Sequence, residues 1–392
     1  MEERIRTAIL TIKSPFQVEG GSDVRMLGMI RALSLFSEVH VIPIFGENQN
    51  EQIEANIFQI ESSGLQSPAN HELLRNLKER PSDPYSIFSS DYVRSYVTRA
   101  LDSAKATHVI ANRLTMWRIL QDIEPSRILR RILDLDESAH RLHDSFTDKA
   151  TSSLPWKLHA DFHSKVATYE ESVVNSKVTL LVSSLLEANV VKRFANELTD
   201  VHLIQHVVLD DRDSKFVGES FESQSIKRIL FPANFAYPPN RAALEEIVKE
   251  IAPALPEFEF RIAGFSLNMK EEWKLANLSS QSPVNDMETE FLNSDILIVP
   301  LRWGAGTRVK VLEAMKYGLP VIATEFAVEG LGLTSGVHYL SAESPEEFRA
   351  SILRLSKDLE LAETLRLNAA KLVKDKFAVT SIAQKLREVL LN

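Results

Sequence analysis

Residues 298–324 read IVPLRWGAGTRVKVLEAMKYGLPVIAT, and this stretch decides the fold class. An apolar strand ends at Pro300, and a loop that carries Gly304 and Gly306 follows it. Helical periodicity begins near Thr307, and a second apolar strand comes directly after the helix. A strand, a connecting helix and a second strand in this order are typical of a βαβ unit in a parallel sheet.

Short apolar runs alternate with longer amphipathic runs along the rest of the chain. We expect strands over residues 7–12, 39–45, 108–111, 128–135, 178–182, 201–208, 228–231, 258–263, 295–300, 320–324 and 337–340. The expected helices include residues 22–36, 92–105, 156–175, 240–251, 308–317, 345–357 and 379–390. This alternation predicts an α/β protein with two Rossmann-like domains that face a central cleft.

The length of the chain suits two domains, because single domains commonly have roughly 100–200 residues. A polar stretch without helical or strand periodicity separates the two halves. The predicted units are an N-terminal domain at 1–210, a linker at 211–225, a C-terminal domain at 226–376 and a C-terminal helix at 377–392. By its position beyond the last strand, that helix could pack on either domain.

The composition excludes several kinds of site. Of the 392 residues, 45 are Lys or Arg and 54 are Asp or Glu, so the formal net charge is −9. Cysteine is absent, which excludes a disulfide framework, a thiolate nucleophile and a cysteine-ligated zinc. An acidic chain is poorly suited to a polyanion, so we expect no nucleic-acid partner.

Nothing in the sequence resembles a membrane span or a targeting segment. No stretch reaches the roughly 18 consecutive apolar residues that a span needs, and residues 1–12 lack the pattern of a signal peptide. We therefore expect a cytoplasmic protein. A basic cluster at Arg127, Arg130 and Arg131 is either solvated charge or a docking site for anionic lipid or a phosphorylated acceptor. Peripheral contact with the cytoplasmic membrane face thus stays open, and nothing indicates the oligomeric state.

The glycine loop carries the strongest functional signal. Glycine allows the backbone to approach a ligand closely, and Thr307 is a plausible N-cap of a helix that starts with Arg308. Free N–H groups at that start, with Arg308 and Lys310 nearby, would suit a diphosphate. Glu313 projects near the same end of the helix and could bind a ribose diol. Alternatively, the glycines shape a turn and the charges form a solvated face; spacing alone leaves both interpretations open.

Four collinear segments resemble family-4 glycosyltransferases of the GT-B fold, also called glycosyl transferases group 1. The closest likeness is residues 298–324, where Gly-x-Gly, Lys, Leu-Glu-Ala-Met and Gly-x-Pro-Val follow in the family's order. The other segments are residues 229–243 with Tyr-x-Pro-Asn, the pair Gly20-Gly21 with the helix after it, and Asn112-Arg113-Leu114 together with residues 133–136.

The resemblance implies transfer of a sugar from a UDP- or GDP-linked donor to a hydroxyl acceptor, such as a glycan, a lipid-linked glycan or another glycoconjugate. It implies retention of configuration, no metal and no cofactor beyond the nucleotide sugar. The N-terminal domain would bind the acceptor, and the C-terminal domain would bind the donor. The resemblance also implies that the C-terminal helix at 377–392 crosses back and packs on the N-terminal domain. The implied donor-binding residues are Gly20, Gly21, Asn234, Gly264, Val284, Gly304, Gly306, Thr307, Arg308, Lys310 and Glu313, and the implied catalytic residues are Arg113 and Asp136.

The sequence departs from the family's pattern at three places. Many members carry a glutamate eight positions before the one matched by Glu313, where this chain has Ala305. Sugar recognition must then differ, or activity is weakened. The end of the N-terminal domain reads QHVVLD over 205–210 instead of an Asn-Gly-Val-Asp turn. Arg113 lies where relatives often have a histidine, and a guanidinium can orient a phosphate or acceptor but cannot act as a base.

Other candidates have a less specific pattern. Asp134 and Asp136 could chelate a hard cation, but an acceptor contact by Asp136 fits the predicted cleft better. His140 and His143, with Asp144 nearby, offer too few ligands for a metal and suit a surface or acceptor-lining role. The tryptophans fit packing roles, and they are Trp156, Trp273 and Trp303. Trp303, in the glycine loop, could instead stack on a sugar or on the acceptor.

Two other functions remain compatible with the same fold. A non-catalytic GT-B subunit that supports an active partner would explain Ala305. A nucleotide-sugar epimerase of GT-B fold would form product without any acceptor. Neither accounts for all four matching segments as directly as a transferase does.

Overall fold

A computed structural model describes residues 5–16, 21–46, 50–123, 128–147, 154–208, 225–304 and 306–391, with only the backbone at 70, 74, 77, 145–147 and 154–161. Gly20, Arg127, Ala305 and residues 211–224 of the predicted linker lie outside the described residues. No helix in the described part of the chain is long and apolar enough to cross a membrane.

The first half of the chain forms an eight-stranded sheet with the order β3-β4-β2-β1-β5-β6-β7-β8, parallel except for the pair β3/β4. The strands are β1 (Arg6–Thr11), β2 (Glu38–Pro43), β3 (Glu51–Glu54), β4 (Ile57–Gln59), β5 (His108–Asn112), β6 (Arg130–Asp136), β7 (Val178–Val182) and β8 (Thr199–Leu203). The helices are α1 (Gly21–Ser34), α2 (Asn70–Glu79), α3 (Asp91–Ser103), α4 (Arg113–Gln121), α5 (Ala139–Thr147), α6 (Leu154–Val174) and α7 (Leu185–Lys192), with a 3₁₀ turn at Ser86–Phe88.

The second half forms a six-stranded parallel sheet with the order β11-β10-β9-β12-β13-β14. Its strands are β9 (Arg228–Asn234), β10 (Glu259–Phe265), β11 (Leu278–Gln281), β12 (Ile296–Val299), β13 (Val321–Ala323) and β14 (Leu340–Ser341). The helices are α8 (Pro238–Glu246), α9 (Met287–Leu292), α10 (Val309–Lys316), α11 (Glu325–Val328), α12 (Pro345–Lys357), α13 (Leu359–Lys376) and α14 (Val379–Leu391). A π-helical stretch (Ile247–Ile251) continues α8, and 3₁₀ turns lie at Ala252–Ala254 and Glu271–Trp273.

Both sheets follow the strand order of nucleotide-binding Rossmann domains. In the second sheet the six strands, counted along the chain, lie in the order 3-2-1-4-5-6. The central strands are apolar without alternation, as in β12, where all four side chains are fully buried. Helices on both faces of a parallel sheet require this pattern. In each sheet the strand order reverses once, between β1 and β5 in the first sheet and between β9 and β12 in the second. Ligands of such sheets bind beside that point, at the carboxyl ends of the strands.

The sequence located the central strands and misjudged several edge strands. The sequence did not predict β3 and β11, because exposed polar residues such as Glu51, Ser279 and Ser280 hide their apolar pattern. It did not predict β4 either, which has only three residues. The expected strand at 201–208 ends at Leu203, and the expected strand at 337–340 forms only at Leu340–Ser341. Edge strands are held by neighbouring backbone more than by their own side chains, so their sequence signal is weak.

Helix α14 returns to the N-terminal domain, as expected for this fold. Its apolar face, with Ile382 and Leu386, is fully buried in the same cluster as Ile9 and Leu33. His108 Nε2 donates to the Leu390 carbonyl at 3.0 Å, and Arg130 donates to the Val389 carbonyl at 2.7 Å. These bonds satisfy carbonyls at the end of the helix, which have no partner within it.

A buried ion pair connects four segments of the N-terminal domain. Arg25 on α1 is 1% exposed, and its guanidinium lies 2.6 Å from the fully buried carboxylate of Asp134 on β6. The same guanidinium donates to the carbonyl of Ile204 at 2.8 Å, just after β8. Asn112 on β5 donates a longer bond of 3.4 Å to Asp134. The start of α1 is therefore fixed against the carboxyl edge of the sheet.

Removal of one member of this pair should destabilise the protein strongly. In Asp134→Ala the charge of Arg25 stays buried without its partner, which typically costs about 3–5 kcal/mol of unfolding free energy. Urea unfolding followed by tryptophan fluorescence measures the loss.

The control is Asp91→Ala, which removes a carboxylate that is 96% exposed and paired with Arg94. Its expected cost is below about 1 kcal/mol. Equal stability losses in the two variants would contradict the structural importance of the Arg25–Asp134 pair.

Candidate active site

A cavity of about 540 Å³ lies between the carboxyl ends of the two sheets, where both domains contribute side chains. The starts of α1 and α10 meet across it, because a Cβ atom at Gly21 would lie 3.7 Å from Val309 Cγ2. Helix N-termini present free N–H groups and the positive end of the helix dipole. The cleft thus has positive electrostatic potential from the backbone of both domains, which suits an anion.

The glycine loop after β12 forms the C-terminal wall of the cavity. Gly304 and Gly306 have φ angles of +122° and +76°, in a region of backbone conformation that residues other than glycine rarely adopt. A Cβ atom at Gly304 would lie 2.8 Å from the Tyr237 hydroxyl. The predicted N-cap at Thr307 is wrong, because the helix begins at Val309 and Arg308 occupies the N-cap position. The Thr307 hydroxyl is instead buried and bonded to no described residue.

Arg308 and Lys310 are the cations of this wall. The Arg308 guanidinium lies 4.3 Å from the Phe326 ring centroid and donates to the Gly306 carbonyl, while its Nη2 is buried without a partner. Burial, together with the charge of Arg141, lowers the pKa of Arg308 to about 10. Lys310 donates to Asn240 at 3.1 Å, and burial with the neighbouring Arg308 lowers the pKa of Lys310 to about 7.

Glu313 and the turn after β9 complete the C-terminal wall. Glu313 and Asn234 line the cavity as expected, and burial raises the pKa of Glu313 above its usual value. The side chain of Asn240 donates to the Asn234 carbonyl at 2.8 Å and accepts from Lys310. Asn240, the asparagine of the Tyr-x-Pro-Asn segment, is thus a site residue that was not predicted from the sequence.

Gly264 and Val284, expected near the base of the donor, do not line this cavity. A Cβ atom at Gly264 would lie 1.8 Å from the Ala233 carbonyl oxygen, so glycine here allows two strands to approach each other. Val284 is buried, and its N–H donates to the Gly264 carbonyl at 3.1 Å. Phe265, the residue after Gly264, lines the cavity instead.

Arg113 and Asp136 lie together on the N-terminal wall, with Arg113 Nη2 at 2.9 Å from Asp136 Oδ2. Both have left-handed backbone conformations, with φ angles of +69° and +60°. Such strain in residues with side chains is typical of functional sites. Burial opposes ionisation of Asp136, but Arg113 and Arg25 outweigh it and keep its pKa below the usual value. Gly21 lies at the start of α1 on the same wall.

Two further residues of the N-terminal wall were not expected from the sequence. Glu137 follows β6 and faces Gly306, because a Cβ atom there would lie 3.4 Å from Glu137 Oε2. Its pKa is raised to about 7, chiefly by burial. His206 is 2% exposed, both of its ring nitrogens lack a described partner, and burial beside Arg25 lowers its pKa to about 3. His206 lies within the segment 205–210 and Glu137 directly follows the segment 133–136, but the family's pattern gives neither position a role.

Asp134 is unavailable to a metal because Arg25 holds its carboxylate in the core. No group of three or more His, Asp or Glu side chains that could hold a metal ion occurs within the described ranges.

The remaining candidates lie largely away from the cavity. His140 pairs with Glu171 at 3.2 Å, while Arg130 and Arg131 donate to backbone carbonyls. Of the tryptophans, Trp303 lines the cavity and Trp273 is 4% exposed in the core, and the side chain of Trp156 lies outside the described residues.

The C-terminal half matches a known family. Residues 226–358 match the model of the family described as glycosyl transferases group 1. A relative described as an uncharacterized 44.6 kDa protein in the cps region of Klebsiella pneumoniae is 25% identical over 163 residues. That alignment covers 38% of this chain and 42% of the relative, so it spans less than half of either protein.

Solved structures are similar over nearly the whole chain. A sucrose-phosphate synthase from Thermosynechococcus elongatus is 13% identical, with a TM-score of 0.74 over 99% of this chain and 98% of that one. HepE from Anabaena, solved in complex with UDP and glucose, is 14% identical, with a TM-score of 0.64 over 98% of this chain and 99% of that one. These similarities confirm the GT-B fold that the sequence predicted.

Proposed function

We propose that this glycosyltransferase moves a sugar from a nucleotide diphosphate sugar to a hydroxyl group of a glycan or glycoconjugate acceptor. One observation carries the proposal: the buried Arg308 and the half-buried Lys310 face the cavity, and neither has a described carboxylate within ion-pair distance. Buried charges are normally paired. In a chain of net charge −9, such a pair of cations at a helix start is best explained by an anionic ligand.

The dimensions and charge of the cleft support a diphosphate as that anion. The starts of α1 and α10 both point into the cavity, so backbone N–H groups from two domains could bind phosphate oxygens together. Gly21, Gly304, Gly306 and Thr307 would provide this contact, and Glu313 would bind the ribose. The unpaired Thr307 hydroxyl and Arg308 Nη2 are donors that lack only an acceptor. The structure of HepE with UDP makes UDP the first nucleotide to test, with GDP as the second.

The chemistry of transfer follows from the same charges. As the glycosidic bond to phosphate breaks, negative charge grows on the leaving diphosphate, and preorganised cations stabilise it. Arg308 and Lys310 would supply this stabilisation without a metal ion. Arg113, fixed by Asp136, would orient the acceptor or a phosphate from the opposite wall. Retention of configuration, with the leaving phosphate oxygen accepting the acceptor's proton, completes the proposed mechanism.

Loss of the Lys310 charge should weaken binding of the nucleotide. We expect Lys310→Met to lower the affinity for UDP or GDP by about 10- to 100-fold, because a hydrogen bond to a charged group is lost. Isothermal titration calorimetry measures the affinity. The matched control is Lys249→Met, which removes a lysine whose side chain is 55% exposed on the same domain. Unchanged affinity in Lys310→Met would contradict the placement of the diphosphate.

Binding of the diphosphate should also depend on pH. Free Lys310 loses its proton above pH about 7, whereas the bound anion favours the charged form and raises its pKa. Binding above pH 7 therefore takes up a proton, and affinity falls by up to about tenfold per pH unit until the pKa of the complex is reached. Glu137 and Glu313 also face the cavity, so the proton must be assigned with variants.

Calorimetry at pH 8 in two buffers of different ionisation enthalpy counts the proton. Wild-type protein and Glu137→Gln should take it up, and Lys310→Met should not. Proton uptake that persists in Lys310→Met would show that another group carries the pH dependence.

A further inference from the structure

Glu137 is a carboxylate in the cavity that forms no ion pair with a described residue. It follows β6 directly after the left-handed Asp136, and this backbone turn directs the chain into the cleft. Its carboxylate forms neither an ion pair nor a hydrogen bond with any described residue. Burial, with Asp136 and Glu187 nearby, outweighs Arg113 and Arg308 and raises the pKa of Glu137 to about 7. A charged group with its acceptor positions left open is suited to bind a ligand.

The carboxylate also lies at a defined place relative to the glycine loop. Glu137 Oε2 would be 3.4 Å from a Cβ atom on Gly306, so the N-terminal domain approaches this loop from across the cleft. Lys310 and Arg308 lie at the helix start that follows the loop. The cavity is therefore cationic at the start of α10 and acidic at Glu137.

A purely structural role in closing the two domains would give Glu137 a cationic partner. The available cations have other contacts: Arg113 pairs with Asp136 at 2.9 Å, and Arg308 donates to the Gly306 carbonyl. The domains are already connected by the pair Arg141–Glu329 at 2.6 Å. Glu137 takes part in none of these interactions.

A nucleotide sugar carries groups that suit both kinds of charge at this loop. Its phosphates are attracted to Arg308 and Lys310. Sugar hydroxyls are hydrogen-bond donors, and a carboxylate accepts strong bonds from them. We propose that Glu137 binds hydroxyl groups of the transferred sugar and so determines which sugar the enzyme accepts, an inference that rests on the function proposed above. His206, buried on the same wall with two unpartnered ring nitrogens, provides a second contact to the sugar.

The test compares a nucleotide with its sugar conjugates. Affinities for UDP, GDP and a panel of UDP- and GDP-sugars are measured by isothermal titration calorimetry for wild type, Glu137→Gln and Glu137→Ala. We expect the Ala variant to lose about tenfold or more in affinity for at least one nucleotide sugar, while its affinity for the free nucleotide changes by less than about twofold. The Gln variant, which still accepts one hydrogen bond, should lose less.

Glu329→Gln is the matched control, since Glu329 is an interdomain carboxylate that does not line the cavity. It should change the affinities for nucleotide and nucleotide sugar by the same factor. Thermal denaturation of each variant verifies that it is folded, and Glu137→Asp replaces any variant that is not.

Three results would overturn the inference. Wild-type affinity for every nucleotide sugar in the Glu137 variants would exclude a sugar contact. Equal losses for nucleotide and nucleotide sugar, as in Glu329→Gln, would make Glu137 an interdomain contact. In both cases the proposed function survives, because the nucleotide still binds wild-type protein. Failure of wild-type protein to bind UDP, GDP or any of their sugars would overturn the proposed function and this inference together.

Discussion

The buried contact between Arg25 and Asp134 fixes the N-terminal wall of the cleft. A guanidinium that is 1% exposed can be accommodated only if its charge and its N–H groups are satisfied, and Asp134 with the Ile204 carbonyl does this. The contact places the start of α1 against the carboxyl edge of the sheet. Asp136 lies two residues further on, so its position and that of its partner Arg113 follow from the same anchor.

On the opposite wall, the cations have no such carboxylate partner among the described residues. Arg308 is buried and Lys310 is half-buried, and neither has a carboxylate partner in the described part of the chain. Partial or full burial lowers the pKa of each. Arg308 is partly compensated by the Phe326 ring and Lys310 by Asn240. A folded protein that keeps cations in this state has a site that gains free energy when an anion binds. The charges of Arg25, Asp134, Arg113 and Asp136 on the N-terminal wall therefore neutralise one another, whereas the cations of the C-terminal wall are available to an anionic ligand.

Because the loop has alanine at position 305, the carboxylate that Glu137 brings to the cleft bears on how a sugar is recognised. The donor loop of this chain has alanine where many relatives of the resembling family have a glutamate. Glu137 brings a carboxylate to the neighbouring Gly306 from the other domain. The pKa of Glu137 is near 7 because burial and the carboxylates of Asp136 and Glu187 together outweigh the cations of Arg113 and Arg308. If Glu137 binds the sugar as proposed, recognition depends on both domains instead of on one loop.

The sequence by itself determined the two Rossmann-like domains, the returning helix and the glycine loop with Arg308 and Lys310. Those features are written in local periodicity and in a short motif, because strand, turn and helix depend on residues close in the chain. Only the tertiary structure decided that Asp134 belongs to the core, that Gly264 serves strand packing, and that Glu137 and His206 enter the cleft. These outcomes depend on which residues of distant segments meet at the strand ends. The spacing of residues within one segment does not predict those contacts.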